Sequence, residues 1–136
     1  MSEQREAKQV IVINRGTDPK MRRGKEIAQG AHASMAWLTD RLAEMAGSYG
    51  SRFQALLTVA ERVWIGGSFA KITCQVGSEQ ELVDLHQAAR AAGLQAYLIR
   101  DAGRTEFGGT PTITALAIGP DWTEEIDKVT GHLKLY

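Results

Sequence analysis

A run of β-branched residues near the start of the chain, QVIVIN at Gln9–Asn14, most constrains what this sequence can fold into. Val and Ile at successive positions, without polar alternation, predict a short strand that is buried on both faces. Gly16 and Pro19 then break the segment that follows, so a loop is expected before the next element. A doubly buried strand needs cover on both sides of its sheet, and this pattern therefore predicts an α/β protein.

Helical and strand patterns alternate along the rest of the chain. A long helix is predicted from Gly24 to about Ala46, and a capping box of Ser78 and Glu81 opens another helix that Gly93 ends. The apolar stripe of the long helix, which in an amphipathic helix faces the core, comprises Ile27, Ala31, Met35, Leu38, Leu42 and Met45. The other predicted elements are helices at 53–62 and 122–129 and strands at 70–76, 95–100 and 112–118.

The order of these elements predicts a single α/β domain with a mixed four-stranded sheet flanked by helices on both faces. Strands that are linked through helices favour parallel pairing. The strands at 95–100 and 112–118 share a loop without a helix and are expected to be antiparallel. Residues 1–8 are expected to form a flexible tail and residues 9–136 the domain, a length that can bury one core.

Composition excludes several classes of protein. Apolar residues make up 43% of the chain and charged residues 24%, which is typical of a globular domain and argues against disorder. The lone Cys74 lies in an apolar run and is expected to be a buried thiol without a disulfide partner in the chain. The polar N-terminus has no signal-peptide pattern and no apolar stretch is long enough to span a bilayer, so we expect a cytoplasmic protein that has no membrane partner.

Charge is unevenly distributed although the formal net charge is zero. Residues 1–25 hold seven basic and three acidic side chains. Four of the basic residues crowd between the end of the first strand and the start of the long helix: Lys20, Arg22, Arg23 and Lys25. A helix N-terminus with basic side chains suits phosphate, so the segment is either an anion-binding site or a solvated loop.

Lys25 and His32 are candidate functional residues within the long helix. Lys25 lies in the first helical turn, where the helix dipole disfavours a cation, so either it has a function or its ammonium extends to water. His32 shares a stripe with Lys25 and Gln29, and it is either a structural histidine or part of a site. The three histidines show no metal-ligand spacing, so no metal site is expected.

A second candidate site is the segment RDAGRTEFGGTPTIT at 100–114. Asp101 lies at the end of a predicted strand, where α/β sheets usually place their functional groups. Gly103, Gly108 and Gly109 allow close backbone approach, and nearby threonines supply hydroxyl groups. The alternative interpretation is an ordinary turn in which Asp101 bonds its own backbone.

These motifs together resemble the archaeal/eukaryotic-type (second-type) peptidyl-tRNA hydrolases. The matching stretches are Lys20-Met21, Gly24-Lys25, Ala28-Gln29, His32-Ala33, the helix SEQELVDLHQAARAAGL, LIRDAGRT at 98–105 and the ending IGP…IDKVTGHLKLY. The resemblance covers nearly the whole chain after residue 8, and its DAGRT and DKVTGHLKL motifs are highly specific. It implies hydrolysis of the ester bond between peptide and tRNA, no cofactor, and a homodimer.

The resemblance also implies which residues act. The catalytic set would be Lys25, Asp101, Thr105 and a second threonine, which is Thr112 or Thr114. Substrate-binding residues would be Lys20, Arg22, Arg23, Gln29, His32, Arg104 and Thr114. Two departures stand out, because Glu106 replaces the family's glutamine and Gly108-Gly109 replaces its proline-glycine, with one extra residue before the strand.

Two other functions fit the residues without the resemblance. The basic loop alone would suit a non-catalytic module that binds tRNA or another anion with the same fold. An interaction protein would instead use Trp122 and Tyr136 at a partner surface, and it would show an apolar patch and no basic cleft beside Asp101.

Overall fold

A computed structural model describes residues 5–44, 56–103 and 107–136 of the chain. Its elements, in chain order, are β1 Ala7–Asn14, α1 Arg23–Glu44, α2 Val59–Gly66, β2 Lys71–Val76, α3 Glu79–Ala91, β3 Ala96–Asp101, β4 Thr112–Trp122, α4 Thr123–Thr130 and β5 Lys134–Leu135. The predicted order is confirmed, and most of the predicted boundaries lie within a few residues of those in the structure.

The described strands form one mixed sheet in the order β3-β4-β1-β2-β5. β1 and β2 are parallel, whereas β3 and β4 are antiparallel, as the connections predicted. The prediction of four strands was wrong by one, because β5 adds a fifth strand antiparallel to β2. β5 is only two residues long, and so short a segment offers no alternation that sequence analysis can detect.

Helices cover both faces of the sheet and enclose separate cores. One core packs α3 and α4 against one face and includes Val10, Val12 and Leu116. On the other face, α1 packs over Ile11 and Ile13. Alternate residues of β1 thus enter both cores, which is why that strand lacks polar alternation. Cys74 is buried in the first core, as predicted, and its burial raises the pKa of the thiol.

Strand β1 begins two residues earlier than the sequence predicts. Ala7 is buried and Lys8 forms an ion pair with Asp127, at 2.5 Å between Nζ and Oδ1. Ala7 and Lys8 pair with Trp122 and Asp121 of β4. Residues 7 and 8, which we assigned to the flexible tail, are therefore part of the sheet.

Helix α1 rests on the sheet through a different face from the one its apolar stripe predicted. Ile27, Met35 and Leu42 are 68%, 55% and 48% exposed, whereas Gly30 and Ala33 are buried. A Cβ atom at Gly30 would already be in van der Waals contact with the strand below, so the small residues set how close the helix can lie. Leu38 is half-buried, Ala31 is exposed, and Met45 lies outside the described residues.

Helix α2 starts later than predicted. The sequence placed it at 53–62, and the structure places it at Val59–Gly66, with residues 51–55 lying outside the described part. Thr58 caps the helix by accepting a hydrogen bond from the Glu61 backbone, and the Glu61 carboxylate accepts one from the Thr58 backbone. This capping box, T-x-x-E, marks the true start in the sequence.

No helix in residues 5–44, 56–103 and 107–136 is long and apolar enough to cross a membrane.

Candidate active site

Lys25 and Asp101 meet at the edge of the sheet where β1, β2 and β3 all end. These three strands run in the same direction, since β3 and β1 are each antiparallel to β4, and α1 begins at this edge. The Nζ atom of Lys25 lies 2.8 Å from Oδ1 of Asp101. Two side chains that are 76 residues apart in sequence thus form an ion pair, with side chains that are only 14% and 15% exposed.

The second oxygen of Asp101 is held by its own turn. Oδ2 accepts a hydrogen bond of 2.8 Å from the Gly103 backbone N–H. Gly103 has a φ of +81°, and a Cβ atom there would clash with the Thr110 backbone, so only glycine fits. The Gly103 carbonyl in turn accepts from the Gly109 N–H at 2.8 Å. Asp101 therefore does bond the backbone of its own turn, which the sequence analysis gave as the alternative to a functional site. The same turn fixes the carboxylate that binds Lys25.

The surroundings of Asp101 lower the pKa of its carboxyl group below the ordinary value of about 3.8. The hydrogen bond from Lys25 has the largest effect. The Gly103 N–H and the charges of Lys25 and His32 act in the same direction, while partial burial opposes them. Asp101 is therefore an anion at neutral pH, hydrogen-bonded on both oxygens.

Thr114 and Gln29 form a buried polar pair beside the ion pair. The Thr114 hydroxyl donates to the Gln29 side-chain oxygen, and both residues are buried. A β-bulge explains why Thr114 points toward α1: Ile99 pairs with Ala115 and Arg100 with Ile113, so β4 has one extra residue there. Bulges redirect a side chain in this way, and this one turns the threonine hydroxyl toward the helix.

Thr112 occupies a different position from Thr114. It pairs directly with Asp101 across the β3–β4 ladder, and its hydroxyl donates to the Thr110 carbonyl at 3.0 Å. The structure thus places Thr112 near the carboxylate at the rim of the site, and Thr114 inside it. Thr105 and Arg104, as well as Glu106, lie outside the described residues.

A polar groove leads away from Asp101 between α1 and β3. We call it the α1–β3 groove; it has a volume of about 370 Å³. It is lined by Gln29, His32, Ala36, Thr39 and residues 98–102. His32, a sequence candidate, lies in this wall and faces the same space as the carboxylate. Ala36 continues the stripe that the sequence predicts for Lys25, Gln29 and His32, and Thr39 follows it at helical spacing.

Several basic residues lie in the loop before α1 and in its first turn. Lys20, Arg22 and Arg23 are exposed near the N-terminus of the helix that carries Lys25. Arg15 is instead bound to the buried Glu26, at 2.9 Å between Nη1 and Oε2. The charge of Arg15 is thus partly neutralised by Glu26.

Sequence analysis did not predict the positions of Phe107 at the site and of Glu26, the neighbour of Lys25 in α1. Phe107 is buried in the glycine-rich loop, and the Lys25 ammonium lies 5.9 Å from the centre of its ring. Glu26 accepts a hydrogen bond of 2.6 Å from the Tyr136 hydroxyl, which raises the pKa of that phenol. A lone aromatic residue in a loop and a buried glutamate in a first helical turn show no distinctive pattern in sequence.

The two residues proposed for a partner surface are engaged within the chain. Trp122 is half-buried, with the Arg5 guanidinium 4.1 Å from the centre of its ring. Tyr136 is half-exposed but bound to Glu26. Across the described ranges, no three His, Cys, Asp or Glu side chains are grouped so as to hold a metal ion.

The fold and the site define a small α/β protein whose candidate active centre is a lysine–aspartate pair at the carboxyl ends of parallel strands. The profile of the family described as peptidyl-tRNA hydrolase PTH2 matches residues 7–136. The chain belongs to this family.

Individual relatives agree with the family match. The peptidyl-tRNA hydrolase of Methanocaldococcus jannaschii is 40% identical over 128 residues, which cover 94% of this chain and 98% of the relative. The peptidyl-tRNA hydrolase of Methanopyrus kandleri is 41% identical, with 94% and 97% covered. The probable peptidyl-tRNA hydrolase 2 of Dictyostelium discoideum is 40% identical over 96% of this chain, which spans only 55% of that protein.

Proposed function

We propose that this protein hydrolyses the ester bond of peptidyl-tRNA, releasing free tRNA and peptide, and that the Lys25–Asp101 pair is the centre of its active site. The family and its similarly named relatives support the activity. The observation that carries the site is the contact of 2.8 Å between Lys25 Nζ and Asp101 Oδ1. It places a cation and an anion together at a strand edge flanked by exposed basic residues.

Ester hydrolysis requires an attacking water, stabilisation of the carbonyl oxygen as it becomes negative, and a proton for the departing ribose oxygen. Lys25 supplies the positive charge, and we assign it to the developing oxyanion or to the terminal phosphate of the tRNA. Its ammonium is positioned by Asp101 before substrate arrives. Electrostatic groups that are fixed in advance stabilise the transition state without reorganisation.

Asp101 is better suited to orient the attacking water than to remove its proton. A general base works best when its pKa lies near the working pH, and the pKa of Asp101 is lowered by Lys25 and Gly103. A carboxylate with a low pKa accepts hydrogen bonds but is a weak base. We therefore assign Asp101 to holding both the ammonium and the water.

The buried Thr114 is our choice for the second functional threonine, because its hydroxyl points into the site beside Gln29. Thr105 would supply the first threonine hydroxyl, and Thr112 would lie at the rim. We expect Thr114→Val to lower kcat/KM by roughly tenfold or more, the cost of losing a buried hydrogen bond. Thr112→Val is the matched control, and a larger loss in Thr112→Val than in Thr114→Val would reverse this assignment.

The exposed basic residues would bind the phosphates of the acceptor end. We assign this role to Lys20, Arg22, Arg23 and Arg104, with His32 and Gln29 lining the site next to them. Such contacts go to the tRNA backbone, so binding should depend little on tRNA sequence.

The decisive experiment is cleavage of N-acetyl-aminoacyl-tRNA by the purified protein, with its KM measured at several salt concentrations. We expect cleavage, a KM that rises with salt, and a salt slope that is flatter by about one unit in Arg23→Ala. If the protein binds the tRNA without cleaving it, the alternative function holds, in which this fold is a non-catalytic module that binds tRNA. An unchanged salt slope would remove Arg23 from the interface.

We also expect a homodimer, formed through the outer flank of α1. Ile27 and Met35 are exposed beside an apolar groove of about 630 Å³ with Ile11 and Ile13 in its lining. Apolar surface left open in this way marks an interaction site, and a second copy of the chain presents the same surface. A chain that sediments as a monomer throughout the micromolar range would contradict this.

The chain from Ala7 to its end is proposed to be one domain, and the cytoplasm, where translation supplies peptidyl-tRNA, is the proposed location. Limited proteolysis and cell fractionation test these two proposals.

A further inference from the structure

Strand β3 has one open edge. Among the described residues it pairs only with β4, so its other side carries no strand. The ladder shows which groups face outward: Gly119 N–H donates to the Gln95 carbonyl, and Ala96 lies opposite Ile118. In an antiparallel pair the bonded positions alternate, which turns the N–H and C=O groups of Ala96 and Leu98 away from β4. Ala96 is buried and Leu98 is partly exposed, so the accessible part of this edge begins at Leu98.

The α1–β3 groove runs along this open edge and ends at the active site. Leu98 lines the groove, yet its side chain packs into the core beneath α3 on the opposite face of the sheet. The groove therefore reaches Leu98 at its backbone. At the other end of the lining lies Asp101, the carboxylate that holds Lys25.

We propose that the peptide part of the substrate binds in this groove as an extended strand, pairing through its backbone with the open edge of β3. The inference rests on the proposed function, because it takes Asp101 to mark the scissile ester. The ester is at the peptide's C-terminus and Asp101 is at the C-terminal end of β3, so the added strand would be parallel to β3. An edge strand is a ready template for such pairing.

The size of the groove fits a few residues. The end of β3 from Leu98 together with the following Ala102 spans roughly 13 Å at about 3.3 Å per residue, and residues 29–39 of α1 span roughly 15 Å beside them. Three or four peptide residues therefore fit before the chain emerges. Recognition through the backbone would accept peptides of any sequence, and the small Ala36 leaves space for their side chains.

The first test compares substrates on the wild-type protein. Cleavage of N-acetyl-alanyl-tRNA shows whether the protein hydrolyses the ester at all. We expect the KM of N-acetyl-trialanyl-tRNA to be about tenfold lower, because the longer peptide adds two backbone hydrogen bonds to β3. Replacing alanine by lactic acid changes one N–H to an ester oxygen. In a peptide strand that is parallel to β3, only every second residue directs its N–H toward β3. The replacement should therefore raise KM several-fold at one peptide position and leave KM unchanged at the next.

The outcomes separate the two proposals. If N-acetyl-alanyl-tRNA is not cleaved, the proposed function fails. If it is cleaved but KM is insensitive to peptide length, or if both lactic acid positions have equal effects, only the strand pairing is wrong.

The second test uses readouts that do not depend on turnover. With a trialanyl-adenosine in which an amide replaces the ester, amide hydrogen exchange at Leu98 should slow at least several-fold. Ala36→Trp fills the groove. It should abolish both the slower exchange at Leu98 and the decrease in KM that the longer peptide gives. Ala91→Trp, at an exposed position of α3, is the matched control and should retain both. Unchanged exchange at Leu98 in a saturated wild-type complex would overturn the proposal.

Discussion

We expect Lys25→Ala to lower the turnover of peptidyl-tRNA by at least about a hundredfold while the fold remains intact, because removing one electrostatic stabiliser of an oxyanion typically costs about 10²–10³-fold. Lys25 is held by Asp101 at the strand edge and partly screened from water, which strengthens its field at the ester. The measurement is single-turnover hydrolysis of N-acetyl-aminoacyl-tRNA at saturating enzyme, which separates the chemical step from tRNA binding.

Lys128→Ala is the matched control for this experiment. Lys128 is an exposed lysine that pairs with Glu125 on α4, so its loss removes the same charge from the chain without touching the site. We expect wild-type turnover in Lys128→Ala and an unchanged circular dichroism spectrum in both variants. Turnover within threefold of wild type in Lys25→Ala would remove the ammonium from the chemical step.

The second large effect is expected for Asp101→Asn, which should also reduce turnover about a hundredfold. The amide keeps the size of the side chain, so the lower turnover reports on the negative charge of Asp101. We assign that charge to fixing the Lys25 ammonium and orienting the attacking water. If Lys25 and Asp101 act as a unit, as their ion pair suggests, the double variant should lose little more turnover than either single variant. Losses that multiply in the double variant would show that the two residues act independently.

The pH dependence follows from the lowered pKa of Asp101. A carboxyl group with a depressed folded-state pKa keeps its charge, and the stability from its ion pair, until the pH falls through that value, which lies below about 3.8. The rate of the wild-type protein should therefore show no acid limb from Asp101 between about pH 5 and about pH 7. An acid limb in this range that disappears in the residual activity of Asp101→Asn would show that Asp101 acts as a general base.

The sequence was informative where local chemistry determines the structure. The β-branched run predicted a doubly buried strand, and the position of Asp101 at the end of a predicted strand marked it as a candidate functional residue. Both features depend on short segments: an unbroken apolar run in a strand, and a glycine turn that Asp101 itself closes.

Other features depend on tertiary packing and were missed. The apolar stripe of α1 predicted the wrong buried face, because close approach to the sheet is controlled by the small Gly30 and Ala33. Those two residues lie beside polar Gln29, whose buried side-chain oxygen accepts a hydrogen bond from Thr114 of a distant strand. A sequence pattern cannot show that partner, since the pairing arises from a bulge in β4.

The bulge in β4 also has a consequence for how this site tolerates changes in chain length. Because the extra residue sits inside the strand, between Ile113 and Ala115, the direction of the Thr114 hydroxyl is set by the ladder on either side of it. Insertions among the glycines upstream would leave that hydroxyl in place. Removing a single residue within the bulge would restore a regular ladder and leave Gln29 without the hydroxyl that now satisfies it.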